Sequence, residues 1–150
     1  MAAEYHKHRE AAARASSARR AIAALLPLDL YPSHKRELLS ICLWKLSEAE
    51  GRSKYSTRFC SRLALQSQRS ELAHEHVFER KKLIDELMAD PSSLERIVER
   101  AIGCTVTRAE HARLSAMSRR RPELDGWARY RAARIRVVDR TTGELLKAAT

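Results

Sequence analysis

The chain has no asparagine at all, and only four glycines and eight aromatic residues among its 150 residues. So few glycines leave no material for a phosphate-cradling loop or a dinucleotide turn, and neither motif occurs; a nucleophile elbow is likewise absent. Aromatics at 5% argue against a base-stacking platform, so Trp44, Trp127, Tyr130 and Phe59 are expected as core anchors. Cys42, Cys60 and Cys104 are odd in number, far apart and never spaced Cys-x-x-Cys. That excludes a disulfide framework and a zinc ribbon and leaves them as small buried apolar groups. No apolar run approaches the roughly 18 residues of a membrane helix. The N-terminal Met-Ala-Ala-Glu-Tyr-His-Lys-His shows no hydrophobic signal core, so a cytoplasmic location is expected.

What the chain has in excess is positive charge. Its net charge is +10 and its pI about 10.1, and 22 of its 29 basic residues are arginine. Planar, bidentate guanidinium suits phosphate, and a field of this sign favours a nucleic-acid partner. The hydrophobic fraction of 44% against 32% charged is that of a folded protein, and the length suits a single domain, 1–150.

The alanine-rich stretch 2–26 reads as one basic helix, its first half prone to fraying, ended by Pro27. A compact core is expected over 33–150. Within it, Ser33 is expected to cap a helix through Glu50 with Leu38, Leu39, Cys42, Leu46 and Ala49 inward and Gly51 as its terminator. In 52–68, Tyr55, Phe59 and Leu63 recur every four residues and predict a helix. Lys54, Arg58 and Arg62 then form an adjacent basic ridge, either along a phosphate backbone or simply solvated. Ser92 to Glu95 and Thr107 to Glu110 are both capping-box sequences, so helices are expected after each, the first closed near Gly103. Arg119, Arg120 and Arg121 form a basic break before Pro122, and Asp125 is placed to cap a short helix, 126–133. Strands are expected near 74–78, 104–107 and 135–138. The fold class is mainly α or α+β: helices with one small sheet.

Three of the six histidines lie in two clusters, Leu72-Ala-His-Glu-His-Val-Phe78 and Cys104-Thr-Val-Thr-Arg-Ala-Glu-His111. A carboxylate and an imidazole can hold a divalent ion while a second imidazole takes a proton from water. The competing reading makes the first cluster an exposed, salt-bridged helix end and His111 an ordinary polar helix residue. Glu75-His76-Val77, the strand-like Thr105-Val-Thr107 and the following helix with His111 resemble the ββα-metal motif of HNH-type endonucleases. The resemblance spans about 45 residues. It implies Glu75 and His111 as ligands of one Mg or Mn ion, His76 as general base, and a nucleic-acid substrate gripped by Lys54, Arg58, Arg62, Arg119, Arg120 and Arg121. The family's central asparagine has no counterpart in a chain without asparagine, and Glu79 and Thr107 are the nearby polar substitutes. A proline that often follows the motif's first histidine is also missing. The alternative is a non-enzymatic helical binder of nucleic acid, or of a protein partner, acting as a regulator or inhibitor.

Overall fold

In a computed structural model, residues 5–147 are described. Two helices open the fold. α1 (Ala11–Leu25) buries Ala11, Ala18 and Ile22, and α2 (Pro32–Ser47) buries Leu39, Leu43 and Leu46 against it. Pro32 occupies the first helical position, where its missing N–H costs nothing. The α2 helix therefore starts at proline, Ser33 is not its cap, and it stops at Ser47, short of Gly51. Leu38 is largely exposed, contrary to its expected core role. Lys35 Nζ donates to the carbonyls of Leu26 and Leu28 at 2.7 and 2.9 Å, closing the end of α1. α1 begins later than expected: residues 5–10 ahead of it are non-helical, and His8 N donates to Glu50 O at 2.8 Å, so this histidine is anchored. The expected helix over residues 1–4 lies outside the described residues.

Residues 52–68 are not a helix. They form a bent loop, strand β1 (Phe59–Ser61) and a 3₁₀ turn (Ala64–Gln66). Side-chain hydroxyls hold this loop: Thr57 Oγ1 donates to Phe59 O, accepts from Thr105 N and lies 2.7 Å from Thr105 Oγ1. Ser and Thr that bond to nearby backbone compete with the helical ladder, and here pairing to distant strands wins. Consequently Lys54, Arg58 and Arg62 do not share a helical ridge.

The remaining strands are β2 (Leu72–His76), β3 (Gly103–Thr107), β4 (Val137–Asp139) and β5 (Glu144–Leu145), in the sheet order β2-β3-β1-β4-β5. β2 runs antiparallel to β3 in a register that pairs His76 with Gly103, and β1 is parallel to β3 and antiparallel to β4. The sheet strands at 72–76 and 137–139 sit about two residues from the expected positions. Val77 still donates to Ile102 O before the chain turns away, and Ile135 is held to the end of the preceding helix by its bond to Tyr130 O.

The other helices are α3 (Arg80–Ala89), α4 (Leu94–Arg100), α5 (Arg108–Arg120) and α6 (Gly126–Ala132). The Ser92–Glu95 box does not form: Asp90 accepts from Ser92 N instead, and a 3₁₀ turn leads into α4, which ends before Gly103. Asp125 precedes α6 but accepts from Glu79 N at 3.0 Å rather than capping its own helix. The chain does break in the basic run: α5 extends through Arg120 and stops at Arg121, ahead of Pro122. The Thr107–Glu110 box is fully formed.

Two large apolar clusters result, with a smaller one of Cys60, Ala64 and Leu72 beside β1. One joins α1, α2, α3 and α4 through Ile22, Leu39, Leu43, Leu83, Leu87 and Ile97. The other lies between the sheet, α5 and α6 and includes Val77, Val106, Leu114, Tyr130 and Val137. Phe78 packs against both. Beside it, Gly126 has φ +59°, and a Cβ there would come within 2.5 Å of Phe78 Cε1, so glycine is required on both counts. The whole is one α+β domain.

Candidate functional site

β2 is an edge strand, and its pleat sends His74 and His76 to one side and Glu75 to the other. A cavity of about 600 Å³ wraps this edge, lined among others by Trp44, Glu75, His76, Arg80, His111 and Arg129. On α5, His111, Ser115 and Ser118 reach it from one helical face, spaced i, i+4 and i+7. The position of His111 is fixed from below. Buried Glu110 accepts from Thr107 N at 2.9 Å and from the Ser61 hydroxyl at 2.5 Å, tying the start of α5 to β3 and β1.

Glu75 Oε2 lies 2.5 Å from His111 Nδ1, joining the two sequence clusters. Its other oxygen accepts from Arg129 Nη2 at 3.0 Å. Arg129, almost fully buried, also donates to the carbonyls of His76 (2.7 Å) and Val77 (3.2 Å) and, through Nη1, to Ser118 Oγ (3.2 Å). It thus clamps the backbone on which His76 sits. Sequence reasoning missed it, because its partner Glu75 is 54 positions away and nothing local marks an arginine between Trp127 and Tyr130.

The histidines differ in kind. His74 uses both ring nitrogens: Nδ1 donates to Lys54 O at 2.6 Å and Nε2 lies 3.1 Å from the Ser47 hydroxyl, which itself bonds to Trp44 O at 2.8 Å. A Cβ on Gly103 would fall 2.6 Å from this ring, so the glycine makes room for it. Burial lowers its pKa and keeps it neutral. His74 is a structural bridge. His76 packs edge-on to Trp44 with ring centres 5.0 Å apart, and its buried Nε2 has no hydrogen-bond partner. Burial, with His74, Arg80 and Arg129 nearby, pushes its pKa down to about 2, so the ring is a neutral acceptor. Buried polar atoms are nearly always satisfied, so this acceptor, like the Tyr130 hydroxyl and Ser93 Oγ, is a position that a water or a ligand atom could fill. His111, by contrast, is half exposed at the mouth.

Neither polar substitute for the missing asparagine serves His76. Thr107 is committed to its capping box, and Glu79 Oε2 pairs with Lys82 at 2.7 Å. None of the six basic residues expected to grip nucleic acid lines this cavity. Arg58 is bound to Asp139 at 2.6 Å, Lys54 lies over the Tyr55 ring, and Arg121 pairs with Glu123. Arg62, Arg119 and Arg120 are exposed. The cations at the cavity are instead Arg80, Lys81 and Arg129.

Among the described residues no group of three or more His, Cys, Asp or Glu side chains is gathered to hold a metal. The Glu75–His111 pair nonetheless fits an ion that keeps most of its water. Two neighbouring ligand atoms on an octahedral ion at about 2.1 Å stand about 3.0 Å apart, so the pair needs to part by only about 0.5 Å. No family model, curated protein or solved structure matches this chain.

Proposed function

We propose that the chain is a metal-dependent phosphodiesterase acting on nucleic acid, with a diverged HNH-like site at Glu75, His76 and His111. The observation that carries this reading is the 2.5 Å contact of Glu75 with His111 in the cavity that also holds the partnerless Nε2 of His76. The elements match the ββα order: antiparallel β2 and β3 followed directly by α5, with α3 and α4 inserted between the strands.

Glu75 and His111 would hold one Mg or Mn ion through Oε2 and Nδ1. Such an ion, when bound, supplies positive charge to a phosphodiester oxygen. His76 would accept the proton of an attacking water at Nε2, the atom without an internal partner, and its pKa of about 2 suits a base only once the anionic phosphate bound beside it raises that value. Arg129 orients both halves, fixing the carboxylate of Glu75 and the main chain at His76. It takes the positioning task for which the family uses asparagine. Trp44 backs the His76 ring and restricts its rotation.

The test is nicking of supercoiled plasmid by the purified chain with Mg or Mn, with EDTA, and with His76→Ala. Metal-dependent nicking is expected, abolished by EDTA and reduced by His76→Ala by about 100-fold or more, the usual contribution of a general base. Salt-sensitive binding without turnover, or nicking unaffected by His76→Ala, refutes the reading. The first outcome identifies a non-enzymatic binder, as the +10 charge alone allows.

A further inference from the structure

Arg80 is the first residue of α3 and lies between the site cavity and a shallow neighbouring pocket lined by Arg36, Ser40, Lys81 and Ile84. Its guanidinium stacks on Trp44, 4.8 Å from the ring centre, and Nη1 donates to Ser40 Oγ at 3.0 Å. Both partners are neutral. Among the described residues Arg80 has no ion pair, although it is partly buried. The nearby carboxylates are spoken for: Glu75 by Arg129 and His111, and Glu79 by Lys82. Lys81, exposed beside it, is also without a carboxylate partner among the described residues.

A guanidinium partly withdrawn from water, aimed by an aromatic face and a hydroxyl and without a direct ion pair, is poised for an anion. Its donors not used on Ser40 are available for a bidentate contact. The cavity mouth carries two unpaired cations, Arg80 and Lys81, and offers an incoming anion no unpaired carboxylate. Burial draws the pKa of Arg80 downward against the opposite pull of the Glu75 carboxylate, without threatening its charge.

We infer that Arg80, braced by Trp44 and Ser40 and assisted by Lys81, is the anion seat of this cavity and takes a phosphoryl oxyanion. The assignment moves the phosphate contact away from the loop at Lys54 to Arg62 and from the end of α5. It rests on the proposed activity only for what the seated phosphate is there to do; anion binding stands independently.

Binding of a fluorescent DNA duplex to the full chain, by anisotropy in EDTA and low salt, tests it without turnover. Arg80→Gln is expected to weaken binding about 10-fold, as loss of one charge-assisted bidentate contact implies, and Arg80→Lys by about 3-fold. Lys81→Gln should weaken binding about 3-fold and reduce the salt slope by about one. Arg20→Gln, an exposed cation on α1, is the control and should change affinity less than 2-fold, roughly its share of a diffuse field. Inorganic phosphate distinguishes the source: competition at millimolar phosphate means the seat takes free phosphate, and its absence means only the polymer backbone. Equal effects of Arg80→Gln and Arg20→Gln, or none from either, overturn the seat. If Arg80 governs binding but no metal-dependent nicking occurs, the nuclease reading fails alone. If nicking persists and binding ignores Arg80, the seat fails alone.

Discussion

Replacing Arg129 by methionine should destabilise the fold by about 3 kcal/mol, the lower part of the range for breaking a buried ion pair by removing one partner. The side chain is 3% exposed and that of Glu75 is 10% exposed, so neither charge is well solvated. Methionine keeps much of the volume but abandons Glu75 Oε1 and the carbonyls of His76 and Val77. The cost stays near the lower bound because His111 remains 2.5 Å from the other oxygen of Glu75. Glu75→Gln should cost a similar amount, leaving the guanidinium with neutral acceptors only. The double variant should cost less than the sum by about 1–3 kcal/mol, the coupling expected of a directly contacting pair. Urea unfolding followed by circular dichroism reads all four proteins, and a loss of about 3 kcal/mol moves the midpoint by about 1–2 M for a chain of this size. Additive effects of the two substitutions, or a midpoint for Arg129→Met within about 0.3 M of the parent, would refute the view that the pair is a coupled buried network.

Two further outcomes follow from other parts of the fold. Asp139, bonded to Arg58 and to Thr141, has its carboxyl held down to about 2 from 3.8, so its contribution is present above pH 3.8 and vanishes as pH falls through 2. Asp139→Asn should therefore cost about 1–2 kcal/mol at pH 7 and almost nothing at pH 2, a modest figure because Arg58 is largely solvated; equal losses by urea unfolding at the two pH values would contradict the pairing. The histidines should separate cleanly: His74→Ala lowers stability by about 2 kcal/mol or more by stranding Lys54 O and opening a void, whereas His76→Ala lowers activity with a smaller loss of stability. A melting point reduced more by His76→Ala than by His74→Ala reverses these assignments.

What was legible in the sequence was local. The Thr107–Glu110 box needs only four residues to declare itself, and it put the start of α5, and so His111, where the structure has them. Pro27 likewise ended its helix by backbone geometry alone. The failures involve distant partners. Tyr55, Phe59 and Leu63 imitate a helical period, but β1 is dictated by β3 and β4, later in the chain, and by the Thr57–Thr105 hydroxyl pair. The Glu75–His111 contact was visible as two clusters without a distance. Arg129 and Arg80 carried no signal: each is one arginine among 22, distinguished only by what it touches after folding.

The sheet order has a consequence for how the chain acquires its site. β1 sits at the centre, yet both its neighbours come from far downstream. The α1–α2 hairpin, made of close contacts in sequence, can assemble early, while the sheet waits for partners far downstream. Arg129 belongs to that downstream part. Until it docks, Glu75 lacks its guanidinium and the main chain at His76 lacks its clamp. A chain in which α6 and β4 have not yet docked therefore carries its histidines without their geometry.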